Sequence, residues 1–282
     1  MPSEFLSRLS ESADRLTETD QKMVSALLDR RDELVFLSGP QLAERIDVHG
    51  AAPTRLAQKL GYKGFPELRS ALQKEMLVEQ DAALRMKRSV SSAEEGNYLS
   101  DLIASEVAAL RNLDSLIPQD VIDRTADRII AARKVYVFAQ GHALSISHFL
   151  CRRLERFGMT TVPLSGRGRD IAERLVGMTA DDVVIALAFR KQPLTYAPMM
   201  HHARQVGATT ILVSDLAGLV MTPEPDITLA APRGRSGSEF QTPAVPIVIV
   251  SAILLTMAAR HEEETIGALE KLSKLFADFD KT

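Results

Sequence analysis

The stretch Ala180-Asp-Asp-Val-Val-Ile-Ala-Leu-Ala-Phe-Arg-Lys-Gln-Pro-Leu-Thr-Tyr-Ala197 decides the fold. From Val183 to Ala188 every residue is apolar. Strict alternation would bury one face of a strand. An unbroken apolar run buries both, and that environment is the middle of a parallel sheet. The run ends without a Gly or Asn turn: Phe189 is followed by two adjacent cations, Arg190 and Lys191, where a parallel strand hands over to its crossover helix. Ligands of open parallel sheets bind outside the carboxyl ends of the strands. Arg190 and Lys191 are therefore candidates for holding an anion; a solvated pair or a subunit-interface salt bridge is the plainer reading.

Working outward, further strand-like runs appear at Val135–Phe138, Thr160–Leu164, Thr210–Val213 and Ile227–Ala230. Helical stretches fill about 141–158, 167–178 and 194–206, while the gap 215–225 carries Pro223 and Pro225 and has room for a helical turn at most. Alternation of this kind predicts an α/β doubly wound parallel sheet with helices on both faces. The apolar segment 244–259 is shorter than the roughly 18 to 20 residues needed to cross a bilayer, and Arg260 and Glu262 follow it. It is expected to be a buried core or subunit-interface helix, with no membrane partner. Leu269, Leu272, Leu275, Phe276 and Phe279 form an amphipathic stripe that packs on the core or on a partner subunit.

Ahead of the sheet pattern the chain reads as helices only. Thr17 caps a helix whose apolar positions are Met23, Val24, Leu27 and Leu28. Ser38-Gly-Pro-Gln41 is a second start signal, with Ser as cap, Pro in the first turn and Gln closing the capping box. Leu42–Ile46 follows, then the turn Asp47-Val-His-Gly50, then a short helix of about Ala51–Leu60 stopped by Gly61. Two short helices joined by a Gly-containing turn are a helix-turn-helix candidate, whose second helix lies in the major groove. Its outward residues are expected to be Ala52, Thr54, Arg55, Gln58 and Lys59, chemistry suited to base edges and phosphates. Ser38, Gln41 and Lys63, near helix ends, complete the expected DNA set. Any small helical bundle also has polar faces, so spacing alone leaves the DNA role open.

Charge is consistent with a local DNA contact. The formal net charge is −3, which argues against nonspecific coating of nucleic acid. Yet residues 50–76 carry 5 Lys/Arg against 2 Asp/Glu, and residues 1–49 carry 6 against 10. One cysteine, Cys151, excludes an intramolecular disulfide and fits a cytoplasmic protein. The start, MPSEFLSRLSESADRL, lacks a signal peptide's apolar stretch.

Leu16-Thr17, Val35–Ser38, Leu42–Ile46, Arg55, Lys59–Tyr62 and Gly64–Leu68 resemble the N-terminal domain of RpiR-type bacterial transcriptional regulators. Ile130–Phe138, Gly141 and Gly207–Ile211 resemble the sugar-isomerase (SIS) domain that those regulators carry behind it. The resemblance implies an all-α helix-turn-helix domain at 1–77, a helical linker at 78–118 and a SIS-like, flavodoxin-like effector-binding and dimerisation domain at 119–282. It further implies double-stranded operator DNA and a small metabolite, commonly a phosphosugar, as partners. The chain departs from the family at both phosphate loops. The first is usually Gly-rich with a Ser, and here reads Ala139-Gln140-Gly141-His142-Ala143, with Ala143 where the Ser is expected. The second is usually Ser-rich, and here reads Ala188-Phe-Arg-Lys-Gln-Pro193. Pro53 and His49-Gly50 depart from the family's recognition helix and place its start near Ala52.

The ligand set expected from these loops is Gln140, Gly141, His142, Arg190 and Lys191, with Arg233 and Arg235 on a cationic loop that closes over the anion. Glu239 is read as no isomerase base, and His201-His202, adjacent on a helix, point apart and cannot chelate together. No catalytic residue, metal site or cofactor is expected. The chain reads as a cytoplasmic, ligand-responsive regulator, homodimeric or homotetrameric, with an anionic effector that is a phosphosugar or a carboxylate. The alternatives are a regulator whose SIS domain is ligand-free and serves only assembly, and a sugar-phosphate isomerase.

Overall fold

The computed structural model describes residues 4–12, 15–29, 34–35, 37–80, 82–91, 96–235 and 239–280. Residues 92–95, within the helical linker expected at 78–118, lie outside the described residues. The chain forms two compact units: residues 1–110 with 232–242, and residues 111–231 with 243–282. The boundary differs from the three-part division expected at 77 and 118. The helical residues 82–91 and 98–110 belong to the first unit, and so does the segment 232–242 from beyond the last strand. In that segment the Phe240 N–H donates to Ser89 Oγ at 2.7 Å, and Thr242 Oγ1 donates to Glu106 Oε1 at 2.7 Å.

The first unit contains α1 (Glu4–Glu11), α2 (Glu18–Asp29), α3 (Gly39–Arg45), α4 (Ala52–Lys59), α5 (Phe65–Gln80), α6 (Ala82–Ser91) and the start of α7 (Tyr98–Arg111). Its core joins Phe5, Met23, Leu27, Leu42, Leu56, Leu60, Phe65, Leu68 and Leu72, so each of the first five helices contributes an apolar stripe. Local caps set the helix starts. Thr17 donates its N–H and its hydroxyl to Asp20 Oδ2 at 2.9 and 2.8 Å, opening α2. Ser38 does the same to Gln41 Oε1 at 2.9 and 2.8 Å, opening α3. The turn between α3 and α4 places Asp47 in the left-handed region at φ 54°.

The second unit is built on a five-stranded, all-parallel sheet in the order β2-β1-β3-β4-β5. Its strands are β1 (Val135–Ala139), β2 (Thr161–Leu164), β3 (Val183–Leu187), β4 (Thr209–Ser214) and β5 (Ile227–Ala230). The sheet and its helices have the α/β doubly wound architecture that the sequence pattern predicts. β1 and β3 are buried at every position. Val184, Ala186 and Ala188 face a cluster with Ile171, Met199 and Met200 from α11 (Gly168–Leu175) and α12 (Tyr196–Val206). Alternate residues turn to the opposite face, which α9 (Gln119–Ile130), α10 (Ala143–Arg156) and α13 (Ala244–Arg260) cover. A short helix, α8 (Leu113–Leu116), precedes α9, and α14 (Glu262–Phe279) ends the chain.

The apolar helix α13 buries Val245, Ile249, Val250, Ile253 and Met257 and leaves Leu255 exposed. Among the described residues no single helix is long and apolar enough to cross a membrane. The far half of α14 keeps Leu275, Phe276 and Phe279 exposed. Below β3, Arg133 grips the buried Asp182 with two donors at 3.1 and 2.7 Å, and the Thr179 N–H adds a third at 2.8 Å. This closes the amino end of the sheet.

Candidate functional site

Two surfaces carry the residues that the sequence singles out. The first is α3-turn-α4. On α4, Thr54, Arg55 and Gln58 are exposed on the side away from Leu56 and Ala57, which enter the core. Gln41 is exposed at the start of α3, while Ser38 is half-buried and spends its hydroxyl on Gln41. Lys63 is exposed, and its backbone N–H donates to Glu67 Oε2 at 2.6 Å as the chain turns into α5.

Two members of the expected DNA set are placed differently. Ala52, expected to point outward, is only 4% exposed. Helix α4 begins at this residue, as expected, but Ala52 stands four residues before Leu56 and so falls on the face that enters the core. Lys59 bonds the buried carboxylate of Asp20 on α2, so its ammonium is committed within the unit. Burial pushes the Asp20 carboxyl up, but the bonds from Lys59 and Thr17 outweigh it and leave the group below the ordinary carboxylate value.

Helix α4 has a second anchor that sequence reasoning missed. Arg8 on α1 donates through Nη1 to the carbonyls of Gly61 at 2.6 Å and Leu60 at 3.2 Å, and its guanidinium lies 4.2 Å from the Tyr62 ring centroid. These carbonyls end α4, where a cation is favoured. Nothing local marks Arg8 for this role, because its partners lie more than fifty residues away.

The second surface is the carboxyl edge of the sheet. The β1 loop carries Gln140, Gly141 (φ 57°) and His142, all exposed, before α10 begins at Ala143. Gln140 Nε2 donates to Thr195 Oγ1 at 3.0 Å and to the Gly166 carbonyl at 3.5 Å. One side chain therefore ties the loops after β1, β2 and β3. At Gly166 (φ 96°) a Cβ would stand 2.7 Å from Asp170 Oδ2, the atom that accepts the Arg167 N–H at 2.7 Å.

Arg190 and Lys191 sit on the loop after β3, Arg190 half-buried and Lys191 exposed. Arg190 has φ 73°, in the left-handed region that L side chains rarely adopt. Its N–H donates to both oxygens of Asp215, at 3.0 and 3.0 Å, just beyond β4. On either side of Arg190 the loop is held to the same neighbouring segment. Ser214 Oγ donates to the Ala188 carbonyl at 2.5 Å; Gln192 donates to the Thr222 carbonyl at 2.9 Å and accepts the Thr222 N–H at 2.7 Å.

Arg233 and Arg235, expected near the anion, belong with the first compact unit, where Arg235 lies 4.0 Å from Glu239. A cleft at the opposite, amino end of β4 and β5 is lined by Arg124, Arg128 and Arg204 among others. Its acids are already engaged: Arg260 and His261 bond Asp127, and Thr210 bonds Asp226. His201 Nδ1 meets the Ala197 carbonyl at 2.8 Å and His202 Nε2 the Leu175 carbonyl at 3.3 Å. Cys151 is 6% exposed, and burial pushes its thiol up. Among the described residues no group of three His, Cys, Asp or Glu is placed to hold a metal.

Residues 3–78 match the family model described as the helix-turn-helix domain, rpiR family. The HTH-type transcriptional regulator HexR of Pseudomonas aeruginosa is 21% identical over 209 residues, which are 73% of this chain and 72% of HexR. The sugar isomerase domain of an RpiR transcription factor from Sphaerobacter thermophilus superposes with a TM-score of 0.57 at 20% identity, over 62% of this chain and 97% of that one. The NanR protein of Vibrio vulnificus, solved in complex with ManNAc-6P, superposes with a TM-score of 0.58 at 16% identity, over 98% of each chain. At these identities the structural likeness establishes the fold of the sheet unit as that of a sugar isomerase domain.

Proposed function

We propose, from the premise that residues 3–78 are an rpiR-family helix-turn-helix domain joined to a sugar-isomerase-fold unit, that the chain is a transcriptional regulator. Its operator affinity responds to an anionic metabolite at the carboxyl edge of the sheet. The observation that carries this reading is the loop after β3, where Arg190 and Lys191 stand at the edge on which parallel sheets bind ligands. Thr54, Arg55 and Gln58 are the base-reading residues, with Gln41 and Lys63 toward the phosphates and Ser38, whose N–H and hydroxyl both go to Gln41, setting the position of that side chain. The effector is a small carboxylate or phosphate, since a guanidinium fork suits either. NanR's ligand, ManNAc-6P, belongs to the phosphate class. A homodimer would present two recognition helices to half-sites about one helical turn, or a multiple, apart. The protein works in the cytoplasm and turns over no sugar phosphate.

A second reading has one observation in its favour: the hydroxyls of a phosphate-cradling loop are absent at Ala143 and Ala188. On that reading the sheet unit serves assembly alone. Affinity selection of sheared genomic DNA from the source organism, across a salt series, tests the regulator reading. Enrichment of a few pseudo-palindromic sites is expected. Recovery of nothing above random DNA by folded, dimeric protein refutes it, and assays of sugar-phosphate isomerisation become the next step.

A further inference from the structure

We propose that Asp215 is the positioning residue of the anion site, an inference that rests on the reading of Arg190 and Lys191 given above. The β3 loop has an unusual requirement, because Arg190 takes a left-handed backbone without being glycine. Such conformations persist where the surroundings over-determine them. Here they do. Ser214 holds the loop on one side of Arg190 and Thr222 holds it on the other. At the centre both oxygens of Asp215 accept the Arg190 N–H, and Oδ1 also accepts the Ala217 N–H at 3.2 Å. A carboxylate that only capped the short 3-10 helix Leu216–Val220, which follows β4, would need the Ala217 bond alone.

This arrangement determines how the loop recognises an anion. In a phosphate cradle, backbone N–H groups point at the ligand. In this loop the N–H of Arg190 is consumed by an internal carboxylate. Recognition passes to the side chains of Arg190 and Lys191, whose direction follows from the backbone that Asp215 holds. The ligand class is a small anion gripped by charge and by a planar fork, a carboxylate or a phosphate, rather than one enclosed by main-chain amides.

The test is calorimetric titration of the full-length protein with inorganic phosphate, repeated with citrate, at constant ionic strength and at a temperature where every variant is folded. Arg190→Ala with Lys191→Ala is expected to abolish binding. Asp215→Ala is expected to weaken it about tenfold, the scale of one lost charge-assisted hydrogen bond, and Asp215→Asn to fall between. Amide exchange at residue 190 should accelerate in step with the loss. If the double variant weakens binding while Asp215→Ala and Asp215→Asn bind as the wild type does, the positioning role is overturned and the anion site stands. If the double variant binds like the wild type, or the wild type binds neither probe, the anion site fails and the inference with it. Should Asp215→Ala not fold, Asp215→Asn alone decides, because unchanged affinity beside faster exchange at residue 190 also refutes the role.

Discussion

Replacing Lys59 by methionine separates two readings of one cation. If Lys59 is a strut, the variant keeps the aliphatic stem and strands the Asp20 carboxylate, which is 4% exposed, without its counter-charge. Removing one partner from a buried pair costs about 3–5 kcal/mol, and the half-exposed Lys59 end brings the expectation down to about 2–3 kcal/mol. Thr17 still donates two bonds to Asp20, which is why the loss stops short of the full penalty. Adding Asp20→Asn should restore at least 1 kcal/mol or so, because the stranded charge is gone. Hydrogen exchange of peptides from α2 and α4 reads the effect locally, since a chain of two units does not unfold in one step. The pair also carries a pH signature. The Asp20 carboxyl sits below its unfolded value of 3.8, so its contribution is present above that value and is lost as pH falls through the lower folded value. If Lys59 is a DNA contact, the cost appears elsewhere: the salt dependence of operator binding loses about 0.9 in slope, the contribution of one phosphate contact. Unchanged exchange together with that loss of slope would refute the strut.

Arg55→Ala should cost about 1–3 kcal/mol in operator binding and relax preference at one base pair, with the thermal midpoint unmoved; affinities for operator and random DNA at matched salt decide it. The Asp127 carboxyl is held at about 2 by Arg260 and His261, against 3.8 unfolded. Its stabilisation is therefore complete above pH 4 or so and disappears as pH falls through about 2, so a melting series should show Asp127→Asn losing less stability on acidification than the wild type. Ile185→Ala, at 1% exposure in the central strand, should cost about 2–4 kcal/mol in the sheet unit and leave exchange in α2 and α4 unaltered; a loss shared by both units would contradict their separate cores.

The sheet was legible because its signals are local. Six apolar residues from Val183 to Ala188 require burial on both faces, and β3 is central in the observed order. Ser38 and Gln41, three apart, likewise announce a helix start that the structure uses. What escaped were contacts whose partners are remote in sequence. Arg8 reads as one more basic residue on an amphipathic helix until Leu60 and Gly61 are brought beside it. Asp215 reads as a turn residue until the left-handed backbone of Arg190 gives its carboxylate an N–H to accept. Ala52 is a different case: the helix starts where Pro53 places it, but Ala52 stands four residues before Leu56, on the helix face that enters the core.

These corrections narrow the DNA surface in a definite direction. A recognition helix must be rigid to hold its base contacts in register, and α4 is only eight residues long. A helix so short has little stability of its own. Its rigidity comes from outside, through Lys59 bound to α2 and Arg8 bound to the carbonyls at its end. The basic excess between residues 50 and 76 therefore serves two purposes. Lys59 is bound to Asp20 within the unit, whereas Arg55 and Lys63 are exposed, as the proposed DNA contacts require. Counting basic residues overstates the binding charge by the ones that hold the helix, and a salt slope shallower than the excess of cations suggests follows from that division.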